Sequence, residues 1–523
     1  MYTPTLDALA KDGIKLGRFY TQCDCTPSRT ALLSGLYPIR TGTYHNSISQ
    51  DSPWGLPTRF KLIPEYLSNY GYKSYAIGKW DIGHYSWNHV PTARGFDSFL
   101  GYYGAKEDYF CHRMPHESNC LDCGSTDLNH SIVAGCVNQS LYDFNRDGTG
   151  VEAFHEYSTA YFEREAEAAL STHVAQHPRA PVFLYLAHQA VHMPAQSHGE
   201  TLRYFSDQFM QEKEGSRAKV AAAAYELDTS VARLVVALKR LDLYNSTVLF
   251  FFSDNGATLG QAGGGSNYPL RGSKFTTFEG GVRVPAFVHS PAIEASRRGT
   301  TYDGLFHITD MLPTALEIAG ARDDDIAGHN LDGVSQRAAV LEGSVAAPRD
   351  AVLLHADDLG YYSEQMGLTT GAFIMREASG PGSGDENALW KIVINVTEAT
   401  WCSPDSDEYR YGARCWTLPQ QYAEAVYEGT SPSYAGVFNH SALYELESDP
   451  DESDDLKEVF PDKYQRLIHL FNDAVKPKIR SQYTCGCECD PSCDSLYETW
   501  VRDGGCFVTP WLTTDDEDDD GKR

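Results

Sequence analysis

Apolar residues recur at two spacings along the chain. From Ser158 to Val174, Phe162, Ala166, Leu170 and Val174 repeat every fourth position, the period of one helix face. After Pro181 comes an unbroken apolar run, Val182 to Leu186, short enough for a buried strand. Val220, Ala224, Leu227, Val231, Leu234, Val235, Leu238 and Leu241 line one face of a second helix, which ends at Tyr244-Asn245. Thr247 to Phe252 then reads as another buried strand, as do Lys73 to Ile77, Val284 to His289 and Ala351 to His355. Apolar strands alternating with long helices predict an α/β fold: a mainly parallel sheet covered by helices on both faces. In such sheets binding sites lie just past the carboxyl ends of strands. After about residue 345 the pattern loosens. A short strand (Leu389 to Val396), turn-rich loops and a late helix (Pro461 to Val475) predict a smaller α+β domain with a short antiparallel sheet. The predicted units are therefore 1–345, 346–480, and a Cys-rich strap with an acidic tail at 481–523.

Composition adds limits rather than a function. With 523 residues, 42% hydrophobic and 22% charged, the chain is globular and not disordered or fibrous. A net charge of -28 argues against nucleic-acid binding, which needs Lys and Arg patches. The longest aliphatic and aromatic run is Val248 to Phe252, far short of the ~20 residues of a membrane span. The N-terminal segment lacks a basic stretch followed by an apolar one, so it is not a signal peptide. The 13 cysteines point the other way. Cys111, Cys120, Cys123 and Cys136 form one cluster, and Cys485, Cys487, Cys489, Cys493 and Cys506 another. Zinc is one reading of each cluster. Cys485-x-Cys487-x-Cys489 lacks the C-x2-C pairs of most zinc modules, so disulfides are the stronger reading. Glycosylation sequons at Asn129, Asn138, Asn245, Asn395 and Asn439 also suggest the secretory route. The expectation that reconciles these signs is a secretory protein whose signal peptide is missing from the chain.

The segment that narrows the chemistry is Cys25-Thr-Pro-Ser-Arg29. Pro27 suits the first turn of a helix. Cys25 then sits near a helix N-terminus, where anions are favoured, and Arg29 can grip an oxyanion or a carboxylate. Local chemistry alone leaves a reactive thiol and a structural one equally open.

C-x-P-S-R followed by Leu32-Leu33-Ser34-Gly35 resembles the signature of the type I sulfatases, which carry an alkaline-phosphatase-like fold. Further segments resemble that family in its own order. They are Gly78-Lys79-Trp80-Asp81-Ile82-Gly83, Val191-His192-Met193-Pro194, Ser253-Asp254-Asn255-Gly256, and Arg271-Gly-Ser-Lys274 with Glu279-Gly-Gly-Val-Arg283-Val-Pro285. Leu443 to Glu452 resembles the family's late L-Y-D-L-x-x-D-P-x-E turn, and Arg94 to Asp97 with Gly101 to Phe110 looks closest to the arylsulfatase B branch. The resemblance runs from residue 1 to about 475.

It implies that Cys25 is oxidised to formylglycine by the formylglycine-generating enzyme, and that the aldehyde's hydrate attacks the ester sulfur. It implies catalytic roles for Cys25, Arg29, Lys79, Asp81, His192 and Lys274. Lys79, His192 and Lys274 would also bind the sulfate, and Ca2+ or Mg2+ would sit on residue 25, Asp254 and Asn255. The implied substrate is a sulfated sugar or polysaccharide. Cysteine parity agrees, since twelve cysteines remain to pair once Cys25 is set aside. His188 reads as a packing residue or one that supports the site residues from behind, and Gly263 to Ser266 as a flexible loop beside the site. The clustered positives Arg29, Lys79 and Lys274, with a metal, would offset the chain's overall acidity.

Two departures stand out. Asp81 occupies the place of a histidine that contacts the formylglycine hydrate; two residues from Lys79 on one strand face, it could act as the base, while His84 has the wrong spacing to replace that histidine. The family's metal-binding Asp pair and first strand precede the segment matching Thr3 to Asp7, so the expectation is a chain lacking both. An inactive glycan-binding relative, and a phosphomonoesterase or phosphonate hydrolase of the same superfamily, are the alternatives.

Overall fold

The computed structural model describes residues 1–48, 50, 52–112, 143–151, 153, 155–208, 216–258, 264–344, 347–357, 369–377, 388–397 and 438–479. The predicted strap and tail at 481–523, Gly263, the sequons at Asn129 and Asn138, and every cysteine except Cys23, Cys25 and Cys111 lie outside these residues.

In chain order the main elements are α1 (Pro4–Lys11), β1 (Ile14–Leu16), β2 (Phe19–Tyr20), α2 (Cys25–Ser34), β3 (Lys73–Lys79), β4 (Ser98–Tyr102), β5 (Asn145–Arg146) and β6 (Thr149–Gly150). Next come α3 (Ser158–Gln176), β7 (Val182–Ala187), α4 (Ser216–Arg240), β8 (Leu249–Phe252), β9 (Ala286–His289), β10 (Thr301–Tyr302), β11 (Phe306–His307) and α5 (Met311–Ile318). The smaller unit holds β12 (Ala351–Asp357), β13 (Thr370–Glu377), β14 (Ala388–Thr397), β15 (Phe438–Glu445) and α6 (Pro461–Ala474).

One sheet runs β6-β5-β4-β3-β7. Its centre is parallel, with Ile77 of β3 beside Leu100 of β4 and Leu186 of β7; β5 and β6 add an antiparallel edge. A second sheet runs β10-β1-β9-β8, parallel at β1–β10 and antiparallel at β1–β9 and β8–β9. The strand period of two explains the double covering. Ile77, Leu100 and Tyr102 pack with Phe162, Ala166 and Leu170 of α3 and Leu234 and Leu238 of α4. Ala76 and Phe99 face the opposite way, toward Ala31–Leu33 of α2 and Leu312 and Leu316 of α5. The helical face Phe162–Ala166–Leu170 thus has the role its spacing predicts. β7 and β8 are each the last strand of their sheet among the described residues, and their apolar side chains are mostly half-buried.

The smaller unit is an antiparallel meander, β12-β13-β14-β15. Leu467 and Phe471 of α6 pack on Leu353, Phe373, Trp390 and Leu443. A buried ion triad ties this sheet to the large domain. Lys391 Nζ lies 2.9 Å from Glu279 Oε1 and 2.8 Å from Glu452 Oε1, with all three side chains fully buried. Tyr20 donates to Glu279 (3.0 Å), and Arg271 donates to the Tyr444 hydroxyl (2.9 Å) and the Glu452 carbonyl (3.0 Å).

Cysteine pairing differs from expectation at one position. Cys23 is a free, buried thiol, so the twelve cysteines other than Cys25 do not pair completely. Burial, with Asp24 and Asp357 nearby, pushes its pKa up and keeps it an inert thiol. Cys111 is disulfide-bonded. No helix among the described residues is long and apolar enough to cross a membrane.

Candidate active site

Helix α2 sets the site. Asp24 precedes it in extended backbone (φ -149, ψ 165), and Gly35 closes it in left-handed geometry (φ 68). All ten helix residues are buried, so Cys25 at its first position points into the protein rather than into solvent. Lys274 Nζ lies 3.0 Å from Cys25 Sγ and 3.4 Å from Asp24 Oδ1. Asn255 Oδ1 is 3.5 Å from Sγ. His192 Nε2 lies 3.5 Å from Lys274 Nζ.

Close backbone approach brings these sequence-distant blocks together. Gly256 donates its N–H to Gly281 O at 2.8 Å, and a Cβ at Gly256 would lie 1.9 Å from Gly280 O. The glycines of the S-D-N-G and E-G-G segments therefore serve to let two chains touch. Lys274 N in turn donates to Ala257 O at 3.1 Å, which ties the lysine to the same turn.

Arg29 sits one helical turn below Cys25 and is already engaged by the protein. Its Nε and Nη2 donate to Asp254 Oδ2 at 3.1 and 2.8 Å, and its Nη1 donates to Lys79 O and the Tyr185 hydroxyl, each at 3.1 Å. Of the two partners that sequence allowed this guanidinium, an oxyanion or a carboxylate, the fold supplies the carboxylate of Asp254, and the same group holds the end of β3. Burial alone would raise the Asp254 pKa, but Arg29, Lys79 and Lys274 hold it far below the usual carboxylate range.

Lys79 and Asp81 form a buried ion pair, Nζ to Oδ2 3.1 Å, with side chains 2% and 0% exposed. The sequence reading put both on one strand face. β3 stops at Lys79, however, and Asp81 lies beyond it in left-handed backbone (φ 56). The turn, not strand alternation, creates the pair. Thr26, next to Cys25, donates to Asp81 Oδ1 at 2.9 Å. Burial raises the Asp81 pKa, opposed by Lys79 and Arg29, so this carboxylate holds a proton more readily than an ordinary aspartate. Burial opposes the charge on Lys79 and Lys274. Their pKa values are nevertheless raised, by Asp81 and residue 25 for Lys79, and by residue 25, Asp24 and Asp254 for Lys274. Burial also raises the Cys25 thiol despite Lys274 and Lys79, so an unmodified Cys25 is a poor thiolate nucleophile.

His192 Nδ1 pairs with Met193 O at 2.7 Å, which places the proton on Nδ1 and turns the Nε2 lone pair toward Lys274. Burial, then Lys79 and Lys274, lower its pKa, so the ring is neutral before an anion arrives. Tyr109 holds the His192 loop by donating to His192 O at 2.9 Å. His188 is remote from this chemistry, with Nε2 3.1 Å from Ser230 Oγ of α4. His84 stacks on Tyr103, centroids 5.2 Å apart.

All the sequence-predicted residues therefore meet at one site, with Cys25, Arg29, Lys79, Asp81 and Lys274 buried and His192, Asp254 and Asn255 half-buried. Sequence reasoning missed Asp24, Thr26, Tyr109 and Tyr185. Asp24 and Thr26 flank Cys25 and were visible as neighbours; Tyr185 was hidden inside an apolar strand.

A family model described as Sulfatase matches residues 1–321. The chain belongs to the sulfatase family. It is 33% identical over 483 residues to Arylsulfatase J of Mus musculus, covering 92% of this chain and 73% of that protein. It is also 32% identical to N-acetylgalactosamine-6-sulfatase of Mus musculus, covering 66% of this chain and 62% of that enzyme. A solved structure, Ps i-CgsB in complex with k-i-k-neocarrahexaose, superposes with TM-score 0.68 at 24% identity, covering 96% of this chain and 92% of that one. This sulfatase is therefore a sulfuric ester hydrolase by family, with the fold of the solved sulfatases. Sulfatases generally use a formylglycine and a divalent metal.

Among the described residues no group of three or more His, Cys, Asp or Glu side chains could hold a metal ion. Asp254 and Asn255 bring oxygens beside residue 25, but the Asp254 carboxylate is engaged by Arg29. Ca2+ takes about six to eight oxygens and Mg2+ about six. The described residues alone do not fit either ion.

Proposed function

We propose that this sulfatase removes sulfate from a sulfated carbohydrate, with residue 25 in its formylglycine form. The observation that carries the proposal is the convergence of Cys25, Lys79, His192 and Lys274, from four separate segments, on one buried point beside a helix N-terminus. The thiol itself is a poor candidate nucleophile, because burial keeps it protonated. The hydrate of formylglycine supplies an oxygen nucleophile for the ester sulfur and releases sulfate as the aldehyde re-forms.

Geometry supports a role for each remaining residue. Lys79 and Lys274, both held charged, grip the sulfate oxygens as negative charge develops on them. His192 Nε2 faces the same space, and a bound anion raises its proton affinity, so it protonates the departing sugar oxygen. Asp81, with its raised pKa and its bond from Thr26, takes a proton from the nucleophile. Arg29 keeps Asp254 and the end of β3 in place.

A carbohydrate is favoured by the relatives' own names: N-acetylgalactosamine-6-sulfatase for one, and structures solved with k-i-k-neocarrahexaose and with D-glucosamine-2-N,6-O-disulfate for others. The sequons and the cysteine clusters support maturation on the secretory route, where the formylglycine-generating enzyme would act on Cys25.

The test is peptide mass spectrometry across Cys25 with an aldehyde-reactive probe, together with turnover of a panel of sulfated sugars. An aldehyde and release of inorganic sulfate are expected, and Cys25→Ser should abolish turnover. Complete alkylation of Cys25 in an active preparation, with no aldehyde, would overturn the mechanism.

A further inference from the structure

Exposed apolar residues adjoin the charged site. Val191, Met193 and Phe275 are 36%, 41% and 59% exposed. They adjoin His192 and Lys274 in sequence, and these two side chains approach to 3.5 Å, which brings the two loops together beside the site. Phe275 is the most unusual of the three. Its ring centroid lies 5.1 Å from Lys274 Nζ, the same ammonium that lies 3.0 Å from Cys25 Sγ. Its backbone is left-handed, φ 71. Glycine adopts that conformation freely, whereas for a bulky side chain it is strained. The Phe275 N–H donates to Cys23 O at 2.7 Å, which pins the strained backbone to a residue two positions before the catalytic helix. An exposed aromatic in a strained conformation adds little to the core, and such outliers gather at ligand-binding positions.

We propose that Phe275 is the stacking wall of the leaving-group subsite. The pyranose that carries the ester lays its C–H face on the Phe275 ring while its sulfate lies among Lys79, Lys274 and residue 25. Val191 and Met193, on the facing loop, extend the apolar surface. A pyranose has just this division, a polar rim of hydroxyls and an apolar face. This inference rests on the reading of a sulfated carbohydrate as substrate.

The experiment compares matured wild type with Phe275→Ala, Phe275→Gly and Phe275→Tyr. Probes are monosulfated galactose, N-acetylgalactosamine and glucosamine, with inorganic sulfate as a competitive inhibitor. For the best sugar substrate, Phe275→Ala and Phe275→Gly should raise KM about tenfold, while Phe275→Tyr stays within about twofold of wild type. The sulfate inhibition constant should not move, because sulfate does not reach the ring. Phe275→Gly should also melt no lower than wild type, since glycine relieves the strained backbone. An unchanged KM in the Ala and Gly variants would overturn the proposal. So would a sulfate constant that rises in step with KM, because Phe275 would then act only by holding Lys274. If wild type turns over an aryl sulfate but none of the sugars, the carbohydrate reading itself has failed, and that result is distinct from the other two.

Discussion

Replacing Asp81 by Asn should lower kcat and KM together. The site around residue 25 balances Arg29, Lys79 and Lys274 against Asp24, Asp81 and Asp254. Asn keeps the shape of Asp and still accepts the hydrogen bond from Thr26, but it removes one negative charge 3.1 Å from Lys79 Nζ. An anion about 6 Å from that position no longer meets a repulsion worth ~1.5–3 kcal/mol at an effective dielectric of about 20–40. Sulfate esters should then bind roughly ten to a hundred times more tightly. The same change removes the base, and kcat should fall by roughly 10²–10⁴. Leaving Lys79 buried without its partner should also cost stability, up to ~3–5 kcal/mol, less what Asp254 still compensates. Steady-state kinetics on a chromogenic aryl sulfate, inhibition by inorganic sulfate, and urea unfolding measure the three effects separately. Asp81→His should retain substantial turnover. Wild-type kcat in the Asn variant would make Asp81 structural, and an unchanged sulfate constant would refute the charge-balance argument.

Lys391→Met should destabilise the protein by ~3–5 kcal/mol in urea unfolding, because it leaves Glu279 and Glu452 facing each other without a buried cation. Replacing the triad as Lys391→Met, Glu279→Gln and Glu452→Gln should recover most of that loss, and no recovery would refute the assignment. Asp143 is fully buried and has its pKa raised by burial to about 6. Its contribution to stability is complete below its unfolded pKa near 3.8 and is lost as pH rises to about 6. Wild-type stability relative to Asp143→Asn should therefore fall by about 2 kcal/mol between pH 4 and 6.5, and a flat difference would show that Asp143 is not buried as described. Arg29→Lys should cut turnover through Asp254 rather than through sulfate affinity, since one ammonium cannot reach Asp254, Lys79 O and Tyr185 at once. A rise in the sulfate inhibition constant equal to the fall in kcat/KM would instead make Arg29 a sulfate ligand.

Sequence by itself determined many of the elements and, through resemblance to a family, the class of reaction. The four-residue spacing of Phe162, Ala166 and Leu170 can bury one face only as a helix, and the run Val182–Leu186 suits a strand packed between layers. Short blocks around Cys25, Lys79, His192, Asp254 and Lys274 were legible because backbone turns and reacting groups both demand particular residues at fixed offsets. Tertiary structure decided which groups are engaged. Arg29 could grip an oxyanion or a carboxylate by sequence, and the fold supplies the carboxylate, Asp254, 225 positions away. Asp81 reaches Lys79 through a left-handed turn that no periodicity encodes. Cys23 stays a thiol because the fold buries it. Spacing along a chain specifies local geometry, but charge pairing, desolvation and close backbone approach arise between segments far apart in sequence, and only the folded chain brings those segments together.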